Sequence, residues 1–297
     1  MPSALKTLAK LSRDYIALKK LASRDASSEG VAQLIKRITE TSQDFIGSSC
    51  TQVPLISKVP GKQYFSFSSR RGKQKLSRAV NENLYRPEAV YVEHFAAGTV
   101  KDLSELDRSR LLYTLAMSYC CASDLLRSQD QKSPATFFEC LNGHLFAQML
   151  GMNPSRQVEV LRLENEEEAS TLPTDFIFDL GKGRPKFHVP IKISTRERVI
   201  QVFAHQRVLD GVHGFGTFKG ILICLTETKL DHTRREVVEI CLPKQWNLYQ
   251  RFIAPMHRFY YYDLPGKYAA LSLGDPPMNV MPFSKFFDEV SELRAGR

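Results

Sequence analysis

The sequence has little of what marks a membrane or secreted protein. Nowhere in its 297 residues do about 18 apolar residues run together, which excludes a conventional membrane-spanning helix. The first 20 residues keep inserting lysine and arginine, so they lack the apolar core of a signal peptide. Cysteine is sparse: Cys50, Cys120, Cys121, Cys140, Cys224 and Cys241 form no CxxC pair, so neither a zinc site nor a disulfide framework is indicated. Several of them lie within apolar runs such as ILICL (221–225), where a reduced cysteine acts as a small hydrophobe. A cytosolic protein is expected. Internal repeats and low-complexity tracts are also lacking, and tryptophan occurs once, at position 246.

What remains is an ordinary globular composition, 43% hydrophobic and 25% charged, with material for a buried core. The length allows one or two domains. A formal charge of +9 favours a polyanionic partner, because each Lys or Arg set against a phosphate releases condensed counterions. Nucleic acid is the first candidate.

Along the chain, apolar positions from Leu5 to Leu21 recur at helical spacing, break at SSEG and resume through VAQLIKRI, which reads as two amphipathic helices. Residues 57–78 combine basic side chains with Tyr64, Phe65 and Phe67 among Gly, Pro and Ser, the composition of a loop able to meet a phosphate backbone or to stay solvated. Residues 103–127 predict a helix, and Ser133-Pro134 opens another that Gly151 and Pro154 stop. Strands are then expected at 158–163, 175–180 and 186–194, with GKGRP turning between the last two. A helix over about 196–210 and strands at 220–226 and 236–242 follow. The glycine-rich 211–220 comes after a helix and before a strand, the reverse of a dinucleotide or P-loop context, and reads as a connection. His144, Trp246 and Tyr260–Tyr262 read as packing residues, and Asp179 as a turn cap beside GKG.

Chemistry concentrates on the hairpin. Pro173-Thr174-Asp175 opens one arm and Val189-Pro190-Ile191-Lys192 lies on the other, so an acid and a lysine fall on adjacent strands. Hydrolysis of a phosphodiester needs a hard cation held by carboxylates, a water to attack phosphorus, and a positive group to position that water and offset developing charge. Asp175 suits the first requirement and Lys192 the last.

This pattern resembles the PD-(D/E)XK nucleases. Within them, IKISTRERVIQ (191–201) resembles the type II restriction endonucleases of the EcoRII and NgoMIV group, which recognise CCGG or CCNGG. The resemblance implies an α/β restriction-endonuclease-like core over 131–297, a mixed central sheet flanked by helices. It implies a mainly helical N-terminal region, 1–130, serving DNA contact and dimerisation. It also implies Mg²⁺ held by Asp175, Glu139 and Ile191, with Lys192 positioning the attacking water. Arg196, Glu197 and Arg198 match the group's readout triplet; arginine can donate twice to guanine and glutamate can accept from cytosine. Pro190 stands where the superfamily carries a second carboxylate. The group compensates with a glutamate seven residues after the triplet, and counting from Arg198 gives His205, with Gln206 adjoining; both are catalytic candidates.

The implied function is Mg²⁺-dependent cleavage of double-stranded DNA at a palindromic site, leaving 5′-phosphate ends. A homodimer or larger homo-oligomer in the bacterial cytoplasm goes with it, alongside a cognate methyltransferase that is not a stable subunit. Some members of the group flip a base with an aromatic residue, a role for which Tyr64, Phe65 or Phe67 would be available. A sequence-specific DNA-binding protein with lost or weak cleavage, or a repair nuclease of the same fold, are the alternatives.

Overall fold

The structure, a computed structural model, describes residues 4–70, 75–127, 130–161, 170–274 and 277–295, with the side chains of 89–91, 160–161 and 197 outside the description. By contact density the chain divides into two units, Met1–Leu145 with Glu227–Ile240, and Phe146–Thr226 with Cys241–Arg297.

In the first unit, Leu11, Tyr15, Leu18 and Ala22 share one face of α1 (Ala4–Ala22) and are its buried side, as the helical period of the apolar positions requires. Helix α2 (Glu29–Ser49) likewise buries Val31, Leu34, Ile35, Ile38 and Phe45. Short strands follow: β1 (Cys50–Pro54), β2 (Ile56–Ser57), β3 (Tyr64–Ser69) and β4 (Val80–Asn81), then helix α3 (Ala89–Ala96). Helix α4 (Glu105–Leu126) is enclosed on every side from Leu111 to Ser123, and Ser104 caps it by accepting from the Asp107 N–H at 3.2 Å. Helix α5 (Lys132–Leu150) ends the first stretch, and the hairpin β10 (Thr228–Asp231) and β11 (Glu236–Glu239) rejoins the unit.

Two expectations are corrected here. Residues 57–78 are not one loop: they contain β3, paired antiparallel with β1 and β4. Tyr64, Phe65 and Phe67 on that strand are only 3%, 8% and 3% exposed, so the aromatics suggested for stacking on an extruded base are core residues instead. Residues 236–242 do not supply a strand of the main sheet; β11 pairs with β10 and β2. Its alternation, Val237 buried and Val238 exposed, is that of a half-buried strand in a small sheet.

The second unit is built on a sheet that, among the described residues, has seven strands. They are β5 (Ser155–Leu161), β6 (Ser170–Asp179), β7 (Lys186–Val189), β8 (Ile191–Lys192), β9 (Phe218–Cys224), β12 (Arg258–Tyr261) and β13 (Val280–Pro282), in the order β13-β12-β9-β7-β6-β5 with β8 also on β9. The meander β5-β6-β7 is antiparallel, whereas β9, β12 and β13 add in parallel. Strand β12 takes the place expected for 236–242. Phe259, Tyr260 and Tyr261 are enclosed on both faces, so this strand reads as an unbroken aromatic run rather than an alternating one.

Helix α6 (Val199–His213) covers one face of the sheet. Val199, Val202 and Phe203 pack there with Leu222, Cys224, Trp246 and Phe259. Trp246, on α7 (Pro243–Phe252), stacks on Tyr268 of α8 (Gly266–Ala269) with ring centroids 4.3 Å apart. On the opposite face Phe146 meets Phe178 and stacks on Phe286 of α9 (Phe286–Arg294). Between β6 and β7 the turn uses Gly181 and Gly183 at φ +99° and +75°, backbone positions that favour glycine. Asp179 caps that turn, accepting from the Gly181 N–H at 3.0 Å and pairing with Lys186 at 2.7 Å.

Candidate active site

Strands β7 and β8 are one line broken at Pro190. His188 pairs with Gly220, Ile191 with Ile223 and Lys192 with Cys224, so the register against β9 runs through the break unshifted. Proline interrupts the strand because it has no N–H to donate. Its carbonyl still accepts from the Ile223 N–H at 3.0 Å. On the other side, Ile177 pairs with His188 and Phe176 with Val189. Strict alternation then puts Asp175, His188, Pro190 and Lys192 on one face of the sheet, the face that α6 covers.

Asp175 and Lys192 meet there. Asp175 Oδ2 accepts from Lys192 Nζ at 2.7 Å and from the Ile191 N–H at 2.7 Å. The carboxylate therefore takes a main-chain donor just past the proline break and holds the ammonium at the same time. Both side chains are only partly buried, about a quarter exposed or less, so the pair lies at the surface end of the strands.

Behind the pair lies an enclosed polar chain, of which the sequence reading singled out Gln206 but not His188 or Asp210. Gln206 Nε2 donates to Asp210 Oδ1 at 3.0 Å and to the Phe218 carbonyl at 2.8 Å. Two acceptors at one end fix the amide's orientation, so Oε1 must accept from His188 Nδ1, 3.2 Å away. His188 is thereby held as the Nδ1–H tautomer, with Nε2 buried and without a hydrogen-bond partner among the described residues. Burial pushes its pKa down to about 4. Burial also raises the Asp210 carboxyl, against the pull of Gln206. The signal for His188 was present in KFHVPIK: period two from Lys192 through Pro190 reaches it.

His205, one residue before Gln206, is half-buried, with its ring 6.3 Å from that of His188. Burial and then the Lys192 charge lower its pKa, against the opposing effect of Asp175, so it stands as a neutral imidazole near the ion pair. Gln206 is the neighbour turned inward, 1% exposed and engaged at both ends of its amide.

The triplet 196–198 forms a 3-10 turn entering α6, closed by Arg198 N–H to the Thr195 carbonyl at 2.7 Å. Arg196 adopts φ +35°, unusual for a residue with a side chain, and is half-buried, while Arg198 is exposed. The Glu197 side chain lies outside the described residues. Glu139 stands half-buried on α5 in the first unit. His144, on the same helix, is packed as expected, its Nδ1 2.7 Å from the Ala26 carbonyl. No cluster of three or more His, Cys, Asp or Glu side chains able to hold a metal occurs among the described residues.

No protein-family model matches the chain, and no curated protein does. The fold, a mixed central sheet flanked by helices, is one shared with a solved restriction endonuclease. The chain is similar over 96% of its length, and 98% of the other's, to the crystal structure of the type IIP restriction endonuclease Kpn2I, with a TM-score of 0.78 and 23% sequence identity. It is more distantly similar to the restriction endonuclease PspGI in complex with substrate DNA, at a TM-score of 0.47 and 14% identity, over 70% of this chain and 91% of that one.

Proposed function

We propose that this protein is a type II restriction endonuclease that hydrolyses double-stranded DNA at a palindromic site containing CCGG or CCNGG, acting as a homodimer and using Mg²⁺. The observation that carries the reading is the contact of Asp175 with both Lys192 Nζ and the Ile191 N–H on a sheet of this type.

The donors fit a magnesium ion that keeps several waters and takes few protein oxygens. Asp175 would hold it with the main-chain oxygen of Ile191, and Glu139 is the second carboxylate the sequence offers. Bound there, the ion supplies Lewis acidity at a phosphoryl oxygen. The rest is the work of this chain's own residues. Lys192, fixed by Asp175, donates to the attacking water or to a non-bridging oxygen, where negative charge grows as water oxygen bonds to phosphorus. The attacking water loses a proton to solvent, the bond from phosphorus to the 3′ oxygen breaks, and that oxygen takes a proton from solvent, leaving a 5′-phosphate and a 3′-hydroxyl. Neutral His205 offers an acceptor that can orient the water. Arg196, Glu197 and Arg198 read the edges of neighbouring G and C bases.

A second reading, a DNA-binding protein with weak cleavage, is favoured by Pro190 in the place of a carboxylate and by Gln206 being tied to Asp210 and Phe218. Digestion of phage DNA with Mg²⁺ and with chelator separates the two. The nuclease gives discrete fragments in Mg²⁺ only, with 5′-phosphate ends that map to one palindrome. A salt-sensitive gel shift with intact DNA supports the binder, and a smear a repair nuclease.

A further inference from the structure

The first unit carries a cleft of about 690 Å³ between the β1/β3 sheet and the turn joining β10 to β11. Its walls present Arg70, Lys75, His232 and Arg235 beside the hydroxyls of Thr51 and Ser68, and none of the described residues lining it is acidic. The two cations on the sheet side are fixed by neutral oxygens. Arg70 Nε donates to the Cys50 carbonyl at 3.0 Å, and Lys75 Nζ donates to the main-chain oxygen of Asp124. The nearby Asp124 carboxylate is already taken by Arg78, through both oxygens at 2.8 Å. Among the described residues no carboxylate pairs with Arg70, Lys75 or Arg235, while the Asp231 carboxylate lies within electrostatic reach of His232.

Arg235 adds a separate observation. It sits at φ +54°, in the left-handed region that favours glycine or asparagine. The turn does not need an arginine: Asp231 Oδ1 organises it by accepting from the Thr233 and Arg234 N–H groups at 2.9 and 3.0 Å. The Arg235 contribution to the fold is its carbonyl, which accepts from the Ile56 N–H at 2.8 Å and which any residue would supply. Arg235 thus lines the cleft from a position whose backbone geometry disfavours a residue with a side chain. Strain at such a position points to a use for the side chain.

We infer that this cleft is a second DNA contact, in which Arg235, Arg70, Lys75 and His232 hold phosphodiester oxygens of the duplex backbone without reading sequence. The chemistry is that of phosphate recognition: a forked guanidinium, an ammonium and hydroxyl donors, with no carboxylate among the described lining residues. The inference rests on the reading of the second unit as a DNA-cleaving site, and it assigns to the first unit a sequence-independent share of affinity.

The test is duplex binding by fluorescence anisotropy, without Mg²⁺ and across a salt series, for the parent, Arg235→Gly and Arg235→Lys. Glycine relieves the left-handed backbone, so Arg235→Gly is expected to melt no lower than the parent, which separates loss of function from loss of fold. Its affinity is expected to fall roughly three- to tenfold, with a salt slope shallower by about one, while Arg235→Lys keeps most of both. Parental affinity and slope in Arg235→Gly would overturn the inference and leave the nuclease reading standing. A variant that loses only inorganic phosphate binding would also overturn it, in favour of a small-anion pocket. A parent that neither binds nor cuts duplex DNA would remove the functional reading along with it.

Discussion

Three neighbours hold the side-chain amide of Gln206, and the result is a histidine that cannot easily gain a proton. His188 is completely buried, its Nδ1 hydrogen is committed to Gln206, and its pKa is about 4 against an ordinary 6.5. Between those two values the unfolded chain binds a proton that the folded chain refuses, so stability rises with pH there and is lost as pH falls toward 4. The full effect of this one group is on the order of 3 kcal/mol. Burial lowers His144 in the same direction. Urea unfolding measured from pH 7 to pH 4 is expected to show this slope, flatter in His188→Leu whatever that variant's stability at neutral pH. An unchanged slope would mean that His188 is not the neutral, buried group described. Asp175 and Lys192 were legible in the sequence because a P-x-D and a lysine on neighbouring hairpin arms form a known pattern. His188 and Asp210 were not, because their roles arise only when α6 lies over the strands.

At the scale of elements, the contact between α6 and β9 depends on a glycine. A Cβ built on Gly220 would lie 2.5 Å from Met256 Sδ and 2.7 Å from Gln206 Oε1. Met256 can swing its thioether aside, but the Gln206 oxygen is held through a doubly anchored amide. Gly220→Ala is expected to cost about 1–3 kcal/mol as an overpacked contact. Its urea midpoint reads this directly; parental stability would contradict the packing. The same strand shows where element prediction held. Segment 220–226 was recognised from its apolar run, β6 and β7 as β-prone segments on either side of the turn-forming GKGRP, and α6 from its helical period. The error at 236–242 has a plain cause: EVVE has the composition of a strand, and composition does not say which sheet a strand joins. The aromatic run of β12 reads equally well as packing, because a fully enclosed parallel strand shows no period of two. Residues 64–69 escaped for a related reason, since the lysines, arginines and glycines flanking β3 masked a short buried strand.

For the whole molecule, a charge of +9 and a basic cleft in the first unit favour a polyanion, while the acid and lysine on the second unit's sheet favour hydrolysis of one. The restriction-endonuclease fold was foreseen from the order of elements and the IKISTRER segment, and it is the fold that similarity to Kpn2I supports. The recognition sequence of the proposed nuclease lay beyond the sequence, because base contacts depend on loop geometry. The most direct test of the central claim compares the parent with Lys192→Ala on the same phage DNA in Mg²⁺, after confirming equal thermal stability. Discrete fragments from the parent are expected, with cleavage slower by on the order of 10²–10³-fold or more in the variant, the scale for removing one charge-stabilising donor from a transition state. A Lys192→Ala protein that cuts as fast as the parent would contradict the account.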